Sequence, residues 1–157
     1  MVIITKKFVS NLGIVTISEE DGALILCYIG ENAPEKRMGR AGDTPLLASA
    51  QRQIEEYLRG ERRAFDLPVR LRDTPFRMRV WQALQEIPWG ETRSYGDIAR
   101  QIGAPRAARA VGMANHANPL MLLVPCHRVI GADGSMGGFA AGCAIKAALL
   151  RLESPSN

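Results

Sequence analysis

SYGDIARQIGAPRAARAVGMANHANP, residues 94–119, is the stretch on which the reading of the fold turns. Ser94 has the chemistry of an N-cap and stands before a short apolar-periodic run through Ile98, Ala99 and Ile102. Gly103 ends that helix, and Pro105 opens a second one, RAARAVGMANHAN. Two short helices joined by a tight glycine-containing turn make a helix-turn-helix pattern. The second helix is crowded with small residues (Ala107, Ala108, Ala110, Gly112, Ala114), and it sets Arg106 and Arg109 three apart on one side. Two readings fit. In one, the helix packs closely on a neighbour and its arginines are solvated. In the other, a thin helix presses into a narrow groove and an arginine reaches past its backbone, as minor-groove proteins do with arginines and inserted wedges. His116, on the same helix, reads as a surface residue.

Upstream, Thr74-Pro75 carries a cap and a helix-starting proline, and Phe76, Val80, Trp81, Leu84 and Ile87 recur at helical spacing as far as Pro88-Trp89-Gly90. The segment ERRAFDLPVRLRD divides the chain into residues 1–68 and 69–157. Before it, Ile14, Val15 and Ile17, a Glu-Glu-Asp-Gly turn at 19–22, and Leu24, Ile25, Leu26 and Tyr28 spell a β-hairpin. Residues 30–43 read as a loop. Thr44-Pro45 opens a helix whose stripe is Leu46, Leu47, Ala50, Ile54, Tyr57 and Leu58, stopping at Gly60. This half is a small sheet with a helix on it and shows no chemistry of its own. Cys27 reads as a buried small residue in a strand.

Downstream, an apolar run LMLLV (120–124), read as a strand, leads into Pro125-Cys126-His127-Arg128-Val129-Ile130. A cysteine becomes a nucleophile when a cation, an imidazole or a helix N-terminus favours its thiolate. Neighbouring side chains on a strand point to opposite faces, so Cys126 and His127 cooperate only through a turn, which Pro125 favours, or through a bridging water. The same pair fits a buried cysteine beside a surface histidine. The Gly-rich loop GADGSMGGFAAG brings backbone N–H groups close to a ligand. CAIKAALLRLE then reads as a closing helix with Lys146 and Glu153 near its ends. Glu153 either orients a histidine or is simply solvated.

The chain has 157 residues, a formal net charge of +4 and three cysteines. The charge is uneven: residues 1–68 hold 9 Lys/Arg against 10 Asp/Glu, whereas residues 69–157 hold 11 against 6, and ten of those eleven cations are arginine. A polyanion partner for the second half is consistent with this, as is a generally basic surface without a function. Three scattered cysteines exclude a disulfide framework or a zinc knuckle and fit a reducing, cytoplasmic compartment. No apolar run reaches the roughly 18–20 residues of a membrane span, and MVIITKKFVSNLG is not built as a signal peptide.

Pro-Cys-His-Arg-Val-Ile lies between Arg-Ala-Val-Gly and Asn-Pro on one side and Gly-Gly-Phe, Lys146, Leu-Leu and Glu153 on the other. In order and spacing, from about Phe76 to Glu153, it closely resembles the methylated-DNA–protein-cysteine methyltransferases, the 6-O-alkylguanine-DNA alkyltransferases. The resemblance implies an α+β chain, with a ribonuclease H-like N-terminal domain (1–68) followed by a mainly helical, winged-helix-like helix-turn-helix domain (69–157) that binds DNA. It implies that Cys126 accepts the alkyl group irreversibly, once, from 6-O-alkylguanine flipped out of the duplex, and leaves 4-O-alkylthymine open as a further substrate. Glu153, His127 and a water would draw off the thiol proton, and Asn118 would brace the adjoining segment. Tyr95 would press on the DNA backbone and protonate the departing guanine. Arg109 would fill the stack, while Arg106, Ala107 and Ala108 would face the minor groove. Val129, Phe139 and Lys146 would shape the guanine pocket. The resemblance implies double-stranded DNA as partner, a monomer with no obligate protein partner and no membrane, no cofactor and no metal, and a cytoplasmic protein (nuclear if eukaryotic). Phe139 stands where the family commonly has tyrosine, and Ala140-Ala141 replaces a stretch usually richer in Ser, Arg or Gly.

Three rivals differ in class. An alkyltransferase-like recognition protein lacks the acceptor cysteine. A Cys-His hydrolase needs an oxyanion hole and turnover. A transcription factor reading the major groove needs long hydrogen-bonding side chains where this helix has alanine and glycine.

Overall fold

A computed structural model of the chain describes residues 2–137 and 142–154. The chain is α+β and divides into two compact units. One takes the chain up to Leu71 together with Pro119–Met121, and the other takes Arg72–Asn118 and the chain from Leu122 onward. Among the described residues no helix is long and apolar enough to cross a membrane.

In the first unit, β1 (Ile3–Ser10), β2 (Gly13–Glu20), β3 (Ala23–Ile29) and the two-residue β4 (Arg40–Ala41) form one sheet in the order β3-β2-β1-β4. The turn chemistry at 19–22 makes the β2–β3 hairpin, and Asp21 and Gly22 supply its two positive φ angles (50° and 77°). Strand β3 is apolar almost throughout because both its faces are covered, so it carries no alternating pattern. Its outer edge is closed by two short pieces of chain: Leu24 pairs with Val69, and Cys27 with Leu120. The latter bridge is tied by Cys27 N–H to Pro119 O (2.9 Å) and Met121 N–H to Cys27 O (2.9 Å). Helix α1 (Pro45–Leu58) packs on β1 and β2, with Thr44 Oγ1 accepting from Leu47 N–H and Pro45 in its first turn.

The second unit holds α2 (Pro75–Leu84), β5 (Arg93–Ser94), α3 (Tyr95–Gln101), α4 (Ala108–His116), β6 (Val129–Ile130) and α5 (Cys143–Leu152). Thr74 and Ser94 cap as their sequence signals say. Ser94 adds a capping box in which its Oγ accepts from Asp97 N–H (3.0 Å) and its own N–H donates to Asp97 Oδ2 (2.9 Å). Helices α2, α3 and α4 pack on one another around Val80, Trp81, Leu84, Ile98, Ala99 and Val111, all at or near zero exposure. Strands β5 and β6 pair in parallel, joining the start of α3 to the segment that follows Cys126.

Three local expectations are corrected. Helix α4 starts at Ala108, not Pro105, because Pro105 and Arg106 are spent in a turn closed by Ala107 N–H to Ala104 O (2.9 Å). Arg106 therefore precedes the helix rather than sharing a face of it with Arg109. The run LMLLV is not a strand. Only Leu120 pairs, and the chain then turns, with Leu122 at φ 73°. Residues 30–43 are not wholly loop either, since Arg40–Ala41 pairs with β1. That approach depends on Gly39, where a Cβ would lie 2.1 Å from the carbonyl oxygen of Ile3.

Candidate active site

The site is assembled on the second half of α4 and the turn that follows. Trp81 Nε1 donates to Ala114 O (2.8 Å) and anchors α4 to α2. Two asparagines near the C-terminal end of α4 then hold the next segment: Asn115 Nδ2 donates to Cys126 O (3.1 Å) and Asn118 Nδ2 to Val124 O (2.8 Å). Between these clamps the chain makes a single 3₁₀ turn, Cys126–Arg128, entered through Pro125. It is the turn that Pro125 favours, and it places Cys126, His127 and Arg128 side by side in the interior at 3%, 0% and 8% exposure.

Glu153 caps α5 and is 2% exposed. His127 Nε2 lies 2.9 Å from its Oε2, while Arg128 donates from Nε to Oε1 (2.8 Å) and from Nη2 to Oε2 (2.9 Å). Arg128 Nη1 also donates to Ile87 O (2.7 Å), so the guanidinium fastens α5, the 3₁₀ turn and the end of the α2 segment at once. An ionised Glu153 assigns the proton of neutral His127 to Nε2 and leaves Nδ1 as an acceptor. Burial pushes the His127 pKa below its usual value. Glu153 opposes this, and the charges of Arg128 and Lys146 reinforce it. The Cys126 thiol is pushed up to about 11, chiefly by burial, against the pull of an Asn118 hydrogen bond and the Lys146 charge. At neutral pH Cys126 is therefore a thiol, and any attack by its sulfur would need a base.

Lys146 enters from the first turn of α5 and donates from Nζ to Val129 O (2.6 Å) and Met136 O (2.5 Å). Its Nζ lies 5.9 Å from the centre of the Tyr95 ring. Burial lowers the Lys146 pKa and raises that of Tyr95, whose ionisation would also be opposed by negative charge on Cys126 or Cys143 were either a thiolate. Gly137 passes directly over Tyr95: at φ 64°, a Cβ there would come within 2.3 Å of the Tyr95 hydroxyl oxygen. Tyr95 and Gly137 line a cavity of about 730 Å³ together with Arg77, Arg109, Met113 and His116.

Cys126, His127, Glu153 and Asn118 are thus brought together, with Lys146, Val129 and Tyr95 adjoining. Arg109 is exposed on α4 and lines the cavity with Ala108, whereas Arg106 and Ala107 lie ahead of the helix, Ala107 as its N-cap. Phe139 lies outside the described residues, as do Ala140 and Ala141. The sequence reading missed Asn115 and the structural part played by Arg128. A second asparagine three residues before Asn118, at the end of the same helix, is the one signal that pointed to the former. Among the described residues no group of three or more His, Cys, Asp or Glu is arranged to hold a metal.

A sequence model of the 6-O-methylguanine DNA methyltransferase DNA-binding domain matches residues 75–155, which hold every element of this site. The chain belongs to the methylated-DNA–protein-cysteine methyltransferase family. It is 55% identical over 148 residues to the methylated-DNA–protein-cysteine methyltransferase of Methanosarcina acetivorans, covering 93% of this chain and 95% of that one. It is 47% identical over 145 residues to that of Mycolicibacterium paratuberculosis, covering 92% and 88%. Among solved structures, Mycobacterium tuberculosis OGT in complex with DNA superposes with a TM-score of 0.87 at 43% identity, covering 96% of this chain and 92% of that one. The resemblance of the methyltransferase core thus extends through the N-terminal unit as well.

Proposed function

We propose that this methyltransferase repairs DNA directly, removing the alkyl group from 6-O-alkylguanine in a duplex by transferring it to Cys126, once per molecule. The observation that carries the reading is the buried turn that carries Cys126 next to His127, whose imidazole is hydrogen-bonded to a buried, arginine-held carboxylate. Attack by sulfur on the alkyl carbon expels guanine and leaves a thioether, which has no easy return to thiol, so the protein is consumed. His127, backed by Glu153, takes the thiol proton through a water. Tyr95, protonated at neutral pH, supplies a proton to the departing guanine. Lys146, the Val129 backbone and Phe139 shape the base pocket, and Asn118 braces the Cys126 turn. No cofactor is required, because the lesion supplies the group and the cysteine accepts it.

Chemistry on a base in a duplex requires the base to leave the stack, at a cost of a few kcal/mol. In this reading Arg109 fills the gap, and the small residues of α4, with Arg106, Ala107 and Ala108 at its start, let the helix approach the minor groove. The support for this is the exposure of Arg109 on the rim of the 730 Å³ cavity that Tyr95 also lines. We take residues 69–157 as the DNA-binding alkyltransferase domain, winged-helix-like, and residues 1–68 as a ribonuclease H-like domain. We take the protein as a cytoplasmic monomer without an obligate protein partner.

Two variants test the assignment. Cys126→Ala should still bind a duplex containing 6-O-methylguanine and remove no methyl group. Arg109→Ala should lose about 10- to 100-fold in transfer rate from duplex DNA, the share of the flipping cost that a stacked arginine offsets, and little with the free modified base. Equal loss on both substrates would remove Arg109 from the flipping role, and methyl transfer by Cys126→Ala would overturn the acceptor.

A further inference from the structure

We infer that Asn115 is a positioning residue for alkyl transfer: its Oδ1 and His127 Nδ1 together hold the water through which the Cys126 thiol gives up its proton. The inference rests on the proposed function and adds a residue to it.

Asn115 is 2% exposed, and its amide is not free to turn, because Nδ2 donates to the carbonyl of Cys126 itself (3.1 Å). Oδ1 is thereby an acceptor, and among the described residues it has no hydrogen-bond partner. His127 is fully buried. Its Nε2 faces Glu153, and its Nδ1 likewise has no partner among the described residues. A buried polar atom left unsatisfied is costly, so two unpartnered acceptors, one on the Cys126–Arg128 turn and one on the side chain hydrogen-bonded to that turn, mark a place for a donor. The side chains charged or titratable around it are Cys126, Glu153, Arg128, Lys146 and Tyr95. Of these, Arg128 donates to Glu153 and Ile87 O, and Lys146 to Val129 O and Met136 O.

One water between them would satisfy both atoms. It donates one O–H to His127 Nδ1 and the other to Asn115 Oδ1, and its lone pair accepts the S–H of Cys126. An amide oxygen in the second position keeps the water's lone pair turned toward the thiol. In the reaction one S–H and one alkyl C–O bond break, and one S–C bond and one guanine N–H form. The thiol proton moves to the water as the water's proton moves to Nδ1, and no oxidant or reductant takes part.

The test pairs a high-resolution crystal structure of the unaltered protein with pH profiles of methyl transfer from free 6-O-methylguanine. A single water within hydrogen-bonding distance of both Oδ1 and Nδ1 is the expected density, and it needs no variant. Asn115→Ala, with Asn115→Ser as the milder substitution should alanine unfold the turn, should lose at least about tenfold in rate at pH 7. The deficit should shrink as the pH rises, because a preformed thiolate needs no relay. A merely structural asparagine would give a loss independent of pH. Such a loss, or separate waters on the two atoms, overturns the inference while leaving the function standing. If the unaltered protein transfers no methyl group to Cys126, it is the function that fails.

Discussion

At the scale of single residues, the Cys126 thiol, pushed up to about 11, is ionised in about one molecule in ten thousand at neutral pH, so the proposed transfer needs a base, and the His127 imidazole is the one proposed. That imidazole must be neutral to act. Because its folded-state pKa is depressed, its neutrality contributes stability that is present above the unfolded value of 6.5 and is lost as the pH falls through the depressed value. A side-chain NMR titration should therefore find the His127 midpoint below 6.5, and a midpoint at or above 6.5 would contradict its burial beside Arg128. Glu153→Gln removes the carboxylate that the Arg128 guanidinium faces in the interior. The cost should be about 3–5 kcal/mol in urea unfolding, and a loss below about 1 kcal/mol would mean that Arg128 finds water instead. Gly137→Ala should leave the fold intact but push the Tyr95 ring aside, lowering transfer from duplex DNA and free base alike; unchanged rates would show that Tyr95 does not act from its present position. Cys126 and His127 were legible as a pair because they are neighbours in sequence. The arginine beside them drew attention as a cation, but its partner lies 25 residues away, and only the packing of α5 on the turn reveals the pair.

Among the elements, legibility followed the range of the interactions. The starts of α1, α2 and α3 were readable because Thr44, Thr74 and Ser94 cap within three residues of their own position. The start of α4 was not, since Pro105 serves a turn as well as it serves a first helical position, and the choice is made by Ala107 N–H meeting Ala104 O. The apolar run after Pro119 has the composition of a strand. Only one of its residues finds an edge to pair with, and the Asn118 amide draws Val124 back into a turn. The pairing of β4 with β1 is equally long-range and left no mark in the sequence beyond Gly39. Helix α3 has only seven residues and begins with Tyr95, so its capping box should matter beyond its size. Ser94→Ala should cost about 1 kcal/mol in urea unfolding. No measurable loss would show that the packing of α3 on α2 and α4 holds Tyr95 without the cap.

At the scale of the whole molecule, the uneven charge seen in the sequence coincides with the candidate site: residues 69–157 carry all of the net positive charge and ten of the sixteen arginines, and they hold Cys126, His127, Glu153 and Arg109. The α+β architecture of the first unit was readable from its hairpin and capped helix. The return of Pro119–Met121 to the edge of β3 was not, because a three-residue pairing across some 90 positions has no local signature. The central claim is that one buried thiol accepts one alkyl group and ends the protein's activity. An intact-protein and peptide mass spectrum after incubation with a duplex containing 6-O-methylguanine tests it most directly. A gain of one methyl group, mapped to Cys126 and saturating at one equivalent, is the predicted result. Binding of the duplex without any gain in mass, or a methyl group on Cys27 or Cys143 instead, would contradict it.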